Sequence, residues 1–127
     1  MLDPGLTVFE QTERFNASHL AEHELKSILN RYLFPYETWD KPCFCLSGGE
    51  KIRLLFCCLM IGNNAPDVFI LDEPTNNLDI QSVEIITAAI KSYRGTVLLI
   101  SHDHYFVKEI KINRSIKLFD TGSVIKI

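Results

Sequence analysis

Apolar and polar positions follow two different patterns along the chain, and the change falls near residue 62. Up to that point apolar residues recur every three or four positions, which predicts helices. We predict a short helix that opens with a capping box at Thr7–Glu10, a helix from about His19 to Leu33 with Ser18 as its N-cap, and a helix from about Gly49 to Ile61. Because no strand pattern occurs in this part, residues 1–62 are expected to form a helical subdomain.

The second of these helices carries its apolar side chains on one face. They follow the helical period, at Leu25, Ile28, Leu29, Tyr32 and Leu33. Pro35 ends this helix, because proline cannot continue the ladder of backbone hydrogen bonds. Residues 35–45 are predicted to form a loop in which Trp39 is half-buried.

From residue 63 onward, short and wholly apolar runs replace the helical period. Val68–Leu71 and Thr96–Ile100 predict two strands of the kind that a parallel sheet buries on both faces. Between them, Asp79 is placed to cap a helix from about Ile80 to Tyr93. A hairpin is predicted around residues 120–123. This second half is therefore expected to belong to the α/β class.

Two carboxylates, Asp72 and Glu73, directly follow the first predicted strand. The carboxyl end of a buried parallel strand lies at the edge where such sheets bind ligands. There, Asp72 is suited to hold Mg²⁺, directly or through water, and Glu73 to polarise an attacking water. The competing interpretation is an acidic turn that caps the next helix, and this pattern alone does not separate the two.

A histidine follows the second predicted strand, in the sequence Ser101-His102-Asp103. If the two strands are parallel neighbours, His102 reaches the same edge of the sheet as the carboxylates. An imidazole there can hydrogen-bond a phosphate oxygen or the attacking water. The alternative is a helix N-terminus capped by Ser101 or Asp103, with His102 incidental, and a histidine considered alone favours that alternative.

The stretch LSGGEKIRLL, residues 46–55, has the features of a phosphate-binding loop. Two glycines allow a ligand to approach the backbone closely. The helix that follows would point free N–H groups and a partial positive charge at an anion.

These three motifs occur in an order that resembles the C-terminal half of an ATP-binding-cassette (ABC) ATPase domain, over about residues 5–120. The resemblance implies a partial P-loop NTPase fold of the α/β class, with a helical subdomain followed by parallel strand–helix units, and it implies ATP and Mg²⁺ as ligands. It also implies five roles: a signature loop that covers a partner's nucleotide (Ser47, Gly48, Gly49 and Glu50), a magnesium ligand (Asp72), a catalytic carboxylate (Glu73), a switch histidine (His102), and a loop that crosses a dimer interface (Asn76, Asn77, Leu78 and Asp79).

Within that family the sequence looks most like the ABC-F proteins. The resemblance implies two cassettes on one chain, no transmembrane domain and action on the ribosome, in several cases with protection against antibiotics. Asn77 departs from the subfamily, in which His is commoner at this position. Two alternatives remain open: the nucleotide-binding subunit of a membrane transporter, with a transmembrane partner, and a non-catalytic module that lends its signature loop to another cassette.

The chain contains no P-loop of the form G-x-x-x-x-G-K-[ST], because none of its six glycines precedes a lysine. In the family, two cassettes enclose ATP between them, so each half-site here needs groups from elsewhere. We therefore interpret the sequence as a fragment that requires a second cassette and is inactive alone. Strands without sheet neighbours also predict self-association.

Composition restricts the location and the redox chemistry. The net charge of −3 gives no general reason to expect binding to nucleic acid or membranes. No apolar run reaches the roughly 18–20 residues of a membrane span, and the N-terminus is unlike a signal peptide, so the expected location is the cytosol. The four cysteines match no common zinc spacing and are expected to be reduced.

Overall fold

The computed structural model describes residues 2–62, 66–118 and 124–126, and only the backbone of residues 117–118 and 124–126. Three helices precede the first strand, and two short 3₁₀ turns separate the second and third helices. The elements are α1 (Val8–Arg14), α2 (Glu22–Arg31), the 3₁₀ turns Tyr36–Thr38 and Cys43–Cys45, α3 (Gly48–Ile61), β1 (Val68–Asp72), α4 (Ile80–Ser92), β2 (Thr96–Ile100), α5 (His104–Ile110), β3 (Ile116–Leu118) and β4 (Val124–Lys126).

Strands β1 and β2 form a parallel pair, as predicted, with Val68 opposite Thr96 and Asp72 opposite Ile100. Helix α4 is the crossover between them, which makes this part a strand–helix–strand unit. Strands β3 and β4 pair antiparallel. The turn of the predicted hairpin, at residues 119–123, lies outside the described residues.

The capping residues predicted for α1 and α4 are confirmed. Thr7 and Glu10 form a reciprocal capping box at α1, and the side chain of Asp79 accepts from the backbone N–H of Ser82. Trp39 is half-buried as predicted, and its ring N–H donates to the carbonyl of Phe34 at 2.8 Å. Local hydrogen-bonding rules were sufficient for these positions because both partners lie within a few residues of each other.

The predicted start of the second helix is wrong. Helix α2 begins at Glu22 with Ala21 as its N-cap, rather than at His19 with Ser18. The side-chain amide of Asn16 bonds both the N–H and the C=O of Leu20 at 2.9 Å, which holds the preceding segment in a loop. His19 has a φ of 53°, so a helix cannot pass through it.

Helix α3 contributes side chains to two hydrophobic clusters. The first joins it to α1 and α2 and contains the buried side chains of Leu29, Leu54 and Cys58. The second joins it to α4, α5 and one face of the β1–β2 pair, around Phe56 and Phe106. Because α3 is shared, the loop at its N-terminus is held relative to both clusters.

The opposite face of the β1–β2 pair is exposed, and the prediction that both faces are buried is wrong for this chain. Phe69 on the covered face is 8% exposed, whereas its neighbour Ile70 is 67% exposed. Val68, Leu98 and Ile100 share the exposed face, which we call the open face of the sheet. Within the described residues, the helices packed on the sheet lie on one side only.

Among the residues that the structure describes, no helix combines the length and the apolar character that crossing a membrane would require.

Candidate functional site

The N-terminus of α3 is closed by a reciprocal capping box. The hydroxyl of Ser47 accepts from the N–H of Glu50 at 3.1 Å, and the Glu50 carboxylate accepts from the N–H of Ser47 at 3.2 Å. Gly48 and Gly49 begin the helix, where backbone N–H groups have no intrahelical acceptor. The loop therefore offers donors and a partial positive charge to an anion.

Glu50 is engaged inside this loop. Burial raises the pKa of its carboxyl group, but the hydrogen bonds from Ser47 and the nearby ammonium of Lys41 outweigh burial, so the pKa lies below its ordinary value. The Lys41 nitrogen is 3.6 Å from the carboxylate. Glu50 thus remains charged and stabilises the loop, and its predicted contact with a nucleotide stays a prediction.

The two carboxylates predicted at the end of the first strand lie where the sequence indicated. Asp72 is the last residue of β1 and is exposed. Glu73 follows with a φ of 46°, in the left-handed region, and its N–H donates to the carbonyl of Ile100 at 2.8 Å. That hydrogen bond continues the pairing with β2 by one residue and turns the chain sharply into the next loop.

His102 reaches the same edge of the sheet. Its Nε2 is 3.6 Å from Oε1 of Glu73, and its backbone N–H donates to Oε2 of Glu73 at 3.4 Å. The imidazole is 96% exposed, so the rest of its surface is free to meet a ligand. The alternative interpretation also holds in part, because Asp103 caps α5 by accepting from the N–H of Phe106 at 3.0 Å.

Asp79 lies at the N-cap of α4. Hydrogen bonds from the hydroxyl and the backbone N–H of Ser82 lower the pKa of its carboxyl group, and the guanidinium of Arg53 adds a smaller attraction. Two residues before it, Asn77 adopts a φ of 59°. Asparagine tolerates this left-handed conformation better than most residues do.

A cleft of about 590 Å³ separates the start of α3 from the end of β1. Its walls bring together most of the predicted groups and one side chain that sequence reasoning did not select, Ile52. Asn76 and Asn77, predicted to belong to a loop that crosses a dimer interface, also line it. The lining residues are Ser47, Gly48, Gly49, Ile52, Asp72, Glu73, Asn76 and Asn77. Glu50, Asp79 and His102 lie outside this lining. Helical spacing from Gly48 could have indicated Ile52, four residues further on.

The cleft fits part of a magnesium–phosphate site. Mg²⁺ is usually held by one or two carboxylates together with substrate phosphates and water, which matches the single strand-end carboxylate of Asp72. A helix N-terminus with glycines at its first positions suits the phosphate oxygens. The described residues form no group of three or more His, Cys, Asp or Glu side chains that could bind a metal, so an all-protein cage is not formed there.

Comparison with known proteins places this geometry in a family. The ABC transporter family model matches residues 1–76. ABC transporter F family member 2 of Arabidopsis thaliana is 46% identical over 99 residues, which are 78% of this chain and 14% of that protein. ABC transporter F family member 5 of the same plant is 42% identical over 120 residues, 94% of this chain and 17% of that protein.

A dimeric structure of a bacterial ABC transporter cassette has the same fold, with a TM-score of 0.65 at 22% identity, over 91% of this chain and 53% of that one. The chain spans less than a fifth of the length of the two plant relatives. The family match covers more than half of the chain and includes the signature loop, Asp72 and Glu73. The chain therefore belongs to the ABC transporter family of ATP-binding proteins, and its sequence is similar to members of the F subfamily.

Proposed function

We propose that this chain supplies two incomplete halves of ATP-hydrolysing sites in an ABC-F type protein. The observation that carries the proposal is the cleft onto which both halves open, with the N-terminus of α3 on one wall and Asp72 and Glu73 on the other. An anion-binding helix end and two carboxylates are among the groups that Mg²⁺-dependent phosphoryl transfer uses, together with a P-loop. Positioning and electrostatic stabilisation account for most of the catalysis in such reactions, so the arrangement of these groups matters more than their number.

Each group has a distinct role in this proposal. Magnesium, held by Asp72, would neutralise charge on the phosphates. Glu73 orients a water molecule and takes its proton as the water oxygen attacks the γ-phosphorus; the bond to the bridging oxygen breaks, giving ADP and phosphate. His102, 3.6 Å from Glu73, donates a hydrogen bond to the γ-phosphate or the water. Ser47, Gly48 and Gly49 bind the γ-phosphate held by a second cassette.

Two further pieces of sequence are needed: a second cassette that faces Ser47, Gly48 and Gly49, and the P-loop half that accompanies Asp72 and Glu73. The chain has no glycine-rich loop ending in lysine to hold the β- and γ-phosphates. We infer that the 127 residues alone neither bind ATP tightly nor hydrolyse it, and that both activities require a P-loop supplied by other sequence.

A hybrid protein tests this function. The hybrid is Arabidopsis family member 5 with its matching segment replaced by this chain. The rest of family member 5 is intended to supply the missing P-loop half. We expect Mg²⁺-dependent ATP turnover that falls on the order of a hundredfold with Glu73→Gln, since general base catalysis is typically worth at least that much. Glu84→Gln, an exposed position on α4, is the matched control and should leave turnover unchanged. Equal turnover in the two variants would contradict the assigned role of Glu73.

For the biological role, we infer action on the ribosome or in resistance to antibiotics that bind it. The support is the similarity to F-subfamily proteins. The alternative, a transporter subunit, predicts a transmembrane partner protein. The F type instead predicts a second cassette on the same chain. The helical linker between the two cassettes would have about 60–80 residues, far beyond ordinary loop lengths. The coding sequence around these 127 residues, followed by sedimentation of its product with ribosomes, distinguishes the two.

Self-association of the isolated chain forms the last part of the proposal. The open face of the sheet exposes the side chains of four aliphatic residues side by side. Apolar surface of this kind is stabilised by contact with another apolar surface, and free strand edges offer backbone pairing in addition.

A further inference from the structure

The helix of the signature loop and the helix capped by Asp79 are joined by a buried polar contact. The guanidinium of Arg53 on α3 donates to the hydroxyl of Ser82 on α4 at 2.8 Å. Both side chains are buried, with Ser82 only 3% exposed. The Arg53 guanidinium also lies over the ring of Phe34, 4.8 Å from its centroid, which restricts its position further.

A second contact lies one helical turn closer to the cleft. A Cβ atom on Gly49 would come within 2.4 Å of Cδ2 of Leu78, so the backbone of α3 and this side chain approach as closely as a glycine allows. Gly49 and Arg53 are four residues apart, and so are Leu78 and Ser82. The two segments therefore meet at two successive points, one apolar and close, the other polar and buried.

We propose that Arg53 and Ser82 are positioning residues that couple the signature loop to Asp79, so that the two loops present themselves to a second cassette as one rigid unit. The coupling runs from the buried guanidinium to the Ser82 hydroxyl, and from the backbone N–H of the same serine to the Asp79 carboxylate. Its purpose, alignment toward a partner's nucleotide, rests on the proposed function. The coupling itself is a property of the 127-residue chain and can be measured without nucleotide or partner.

Ser82 is suited to this role because it serves both groups at once. Its hydroxyl accepts from Arg53, and its backbone N–H donates to the Asp79 carboxylate at 2.7 Å. Removing the hydroxyl should leave the backbone part of the cap in place while breaking the connection to α3. Removing this one oxygen atom from α4 should therefore increase the rate of amide hydrogen exchange at the start of α3.

The test is residue-resolved amide hydrogen exchange on the full 127-residue chain. The amides of Glu50 and Lys51 close the first turn of α3, bonding the hydroxyl and the carbonyl of Ser47. In Ser82→Ala we expect both to exchange on the order of tenfold faster, since a hydrogen bond to a charged group is lost. The control is Ser92→Ala on the same helix, whose hydroxyl bonds only the Ala89 carbonyl in the described structure.

Two outcomes would overturn the proposal: faster exchange confined to α4, or an equal change at Glu50 and Lys51 in the control. A second variant keeps the test informative if Ser82→Ala does not fold. In Arg53→Met, carboxyl ¹³C titration should show the pKa of Asp79 moved up toward its ordinary value, which packing alone would not change. An unchanged Asp79 pKa would contradict the coupling. If the coupling is observed but the hybrid protein described above does not turn over ATP, only the proposed function is contradicted.

Discussion

The Nε2 atom of His102 lies 3.6 Å from the carboxylate of Glu73, although the two residues are 29 positions apart in the chain. The parallel register explains the approach, since Asp72 pairs with Ile100 and each residue follows the end of its strand within two positions. The backbone N–H of His102 contacts the same carboxylate, so Glu73 is oriented by both groups. Sheet topology thus assembles this pair before any ligand is present.

Asn77 should be sensitive to its backbone conformation. Its φ of 59° is in the left-handed region, where a residue with a Cβ other than Asn or Asp costs about 1 kcal/mol. We expect Asn77→Ala to lower the free energy of unfolding by about that amount, and Asn77→Gly to be neutral or stabilising. Urea denaturation measures both, and Asn76→Ala at the neighbouring position is the control. A larger loss for Asn77→Gly than for Asn77→Ala would contradict this explanation.

The stability of the fold should fall in acid because of Glu50 and Asp79. The pKa of each carboxyl group is lower in the folded chain than its ordinary value. Their contribution is therefore fully present above the ordinary carboxyl pKa, about 4, and is lost as the pH falls through the lower folded values.

We expect the unfolding midpoint in urea to drop between about pH 5 and pH 3, and to drop less in Asp79→Asn. Glu84→Gln on the same helix serves as the matched substitution and should follow the parent chain. Parallel pH profiles for the parent and Asp79→Asn would show that Asp79 does not contribute.

The four thiols should differ strongly in reactivity. Cys45 is exposed, whereas Cys43, Cys57 and Cys58 are buried. Burial raises the pKa of Cys57 to about 12 and also raises that of Cys58 and Cys43, which keeps these groups in the unreactive thiol form. With a disulfide reagent at neutral pH, we expect one fast equivalent, absent in Cys45→Ser, and three more only after unfolding. Fast reaction of two or more thiols in the folded chain would contradict the described core.

The open face of the sheet should drive the association of isolated chains. Ile70, at its centre, is 67% exposed, so Ile70→Lys should lower the weight-average mass seen by light scattering without loss of helix. Ile80→Lys changes an isoleucine that is 78% exposed at the start of α4, outside that face, and should associate like the parent. A parent chain that stays monomeric at high concentration would refute the proposed self-association.

Much of the fold followed from local sequence rules, because helix period, capping boxes and apolar strands depend on residues close in the chain. Thr7 and Asp79 are capping residues of this kind. Ser18 failed as a predicted cap because the side chain of Asn16 offers the loop a competing pair of hydrogen bonds. Composition alone could not reveal that competition.

The remaining features depend on contacts between distant residues. Exposure of Ile70 could not be predicted, because an apolar strand has the same sequence whether or not something covers its second face. The bond from Arg53 to Ser82 joins residues 29 positions apart, and neither residue was given a role by the sequence. The cleft was partly predictable, since its carboxylates and glycines lie in recognisable motifs. That Ile52 and Asn76 line the same cleft depends on how α3 packs against the loop after β1, which the sequence does not show.

The central claim is that the phosphate- and magnesium-facing groups of this chain form a working site only with a P-loop from elsewhere. Isothermal titration of the purified 127-residue chain with Mg-ATP, with Asp72→Asn as the control, tests it most directly. We predict no saturable heat from either protein. Saturable binding to the parent chain that disappears in Asp72→Asn would mean that the cleft holds the nucleotide without a P-loop, and would contradict the account.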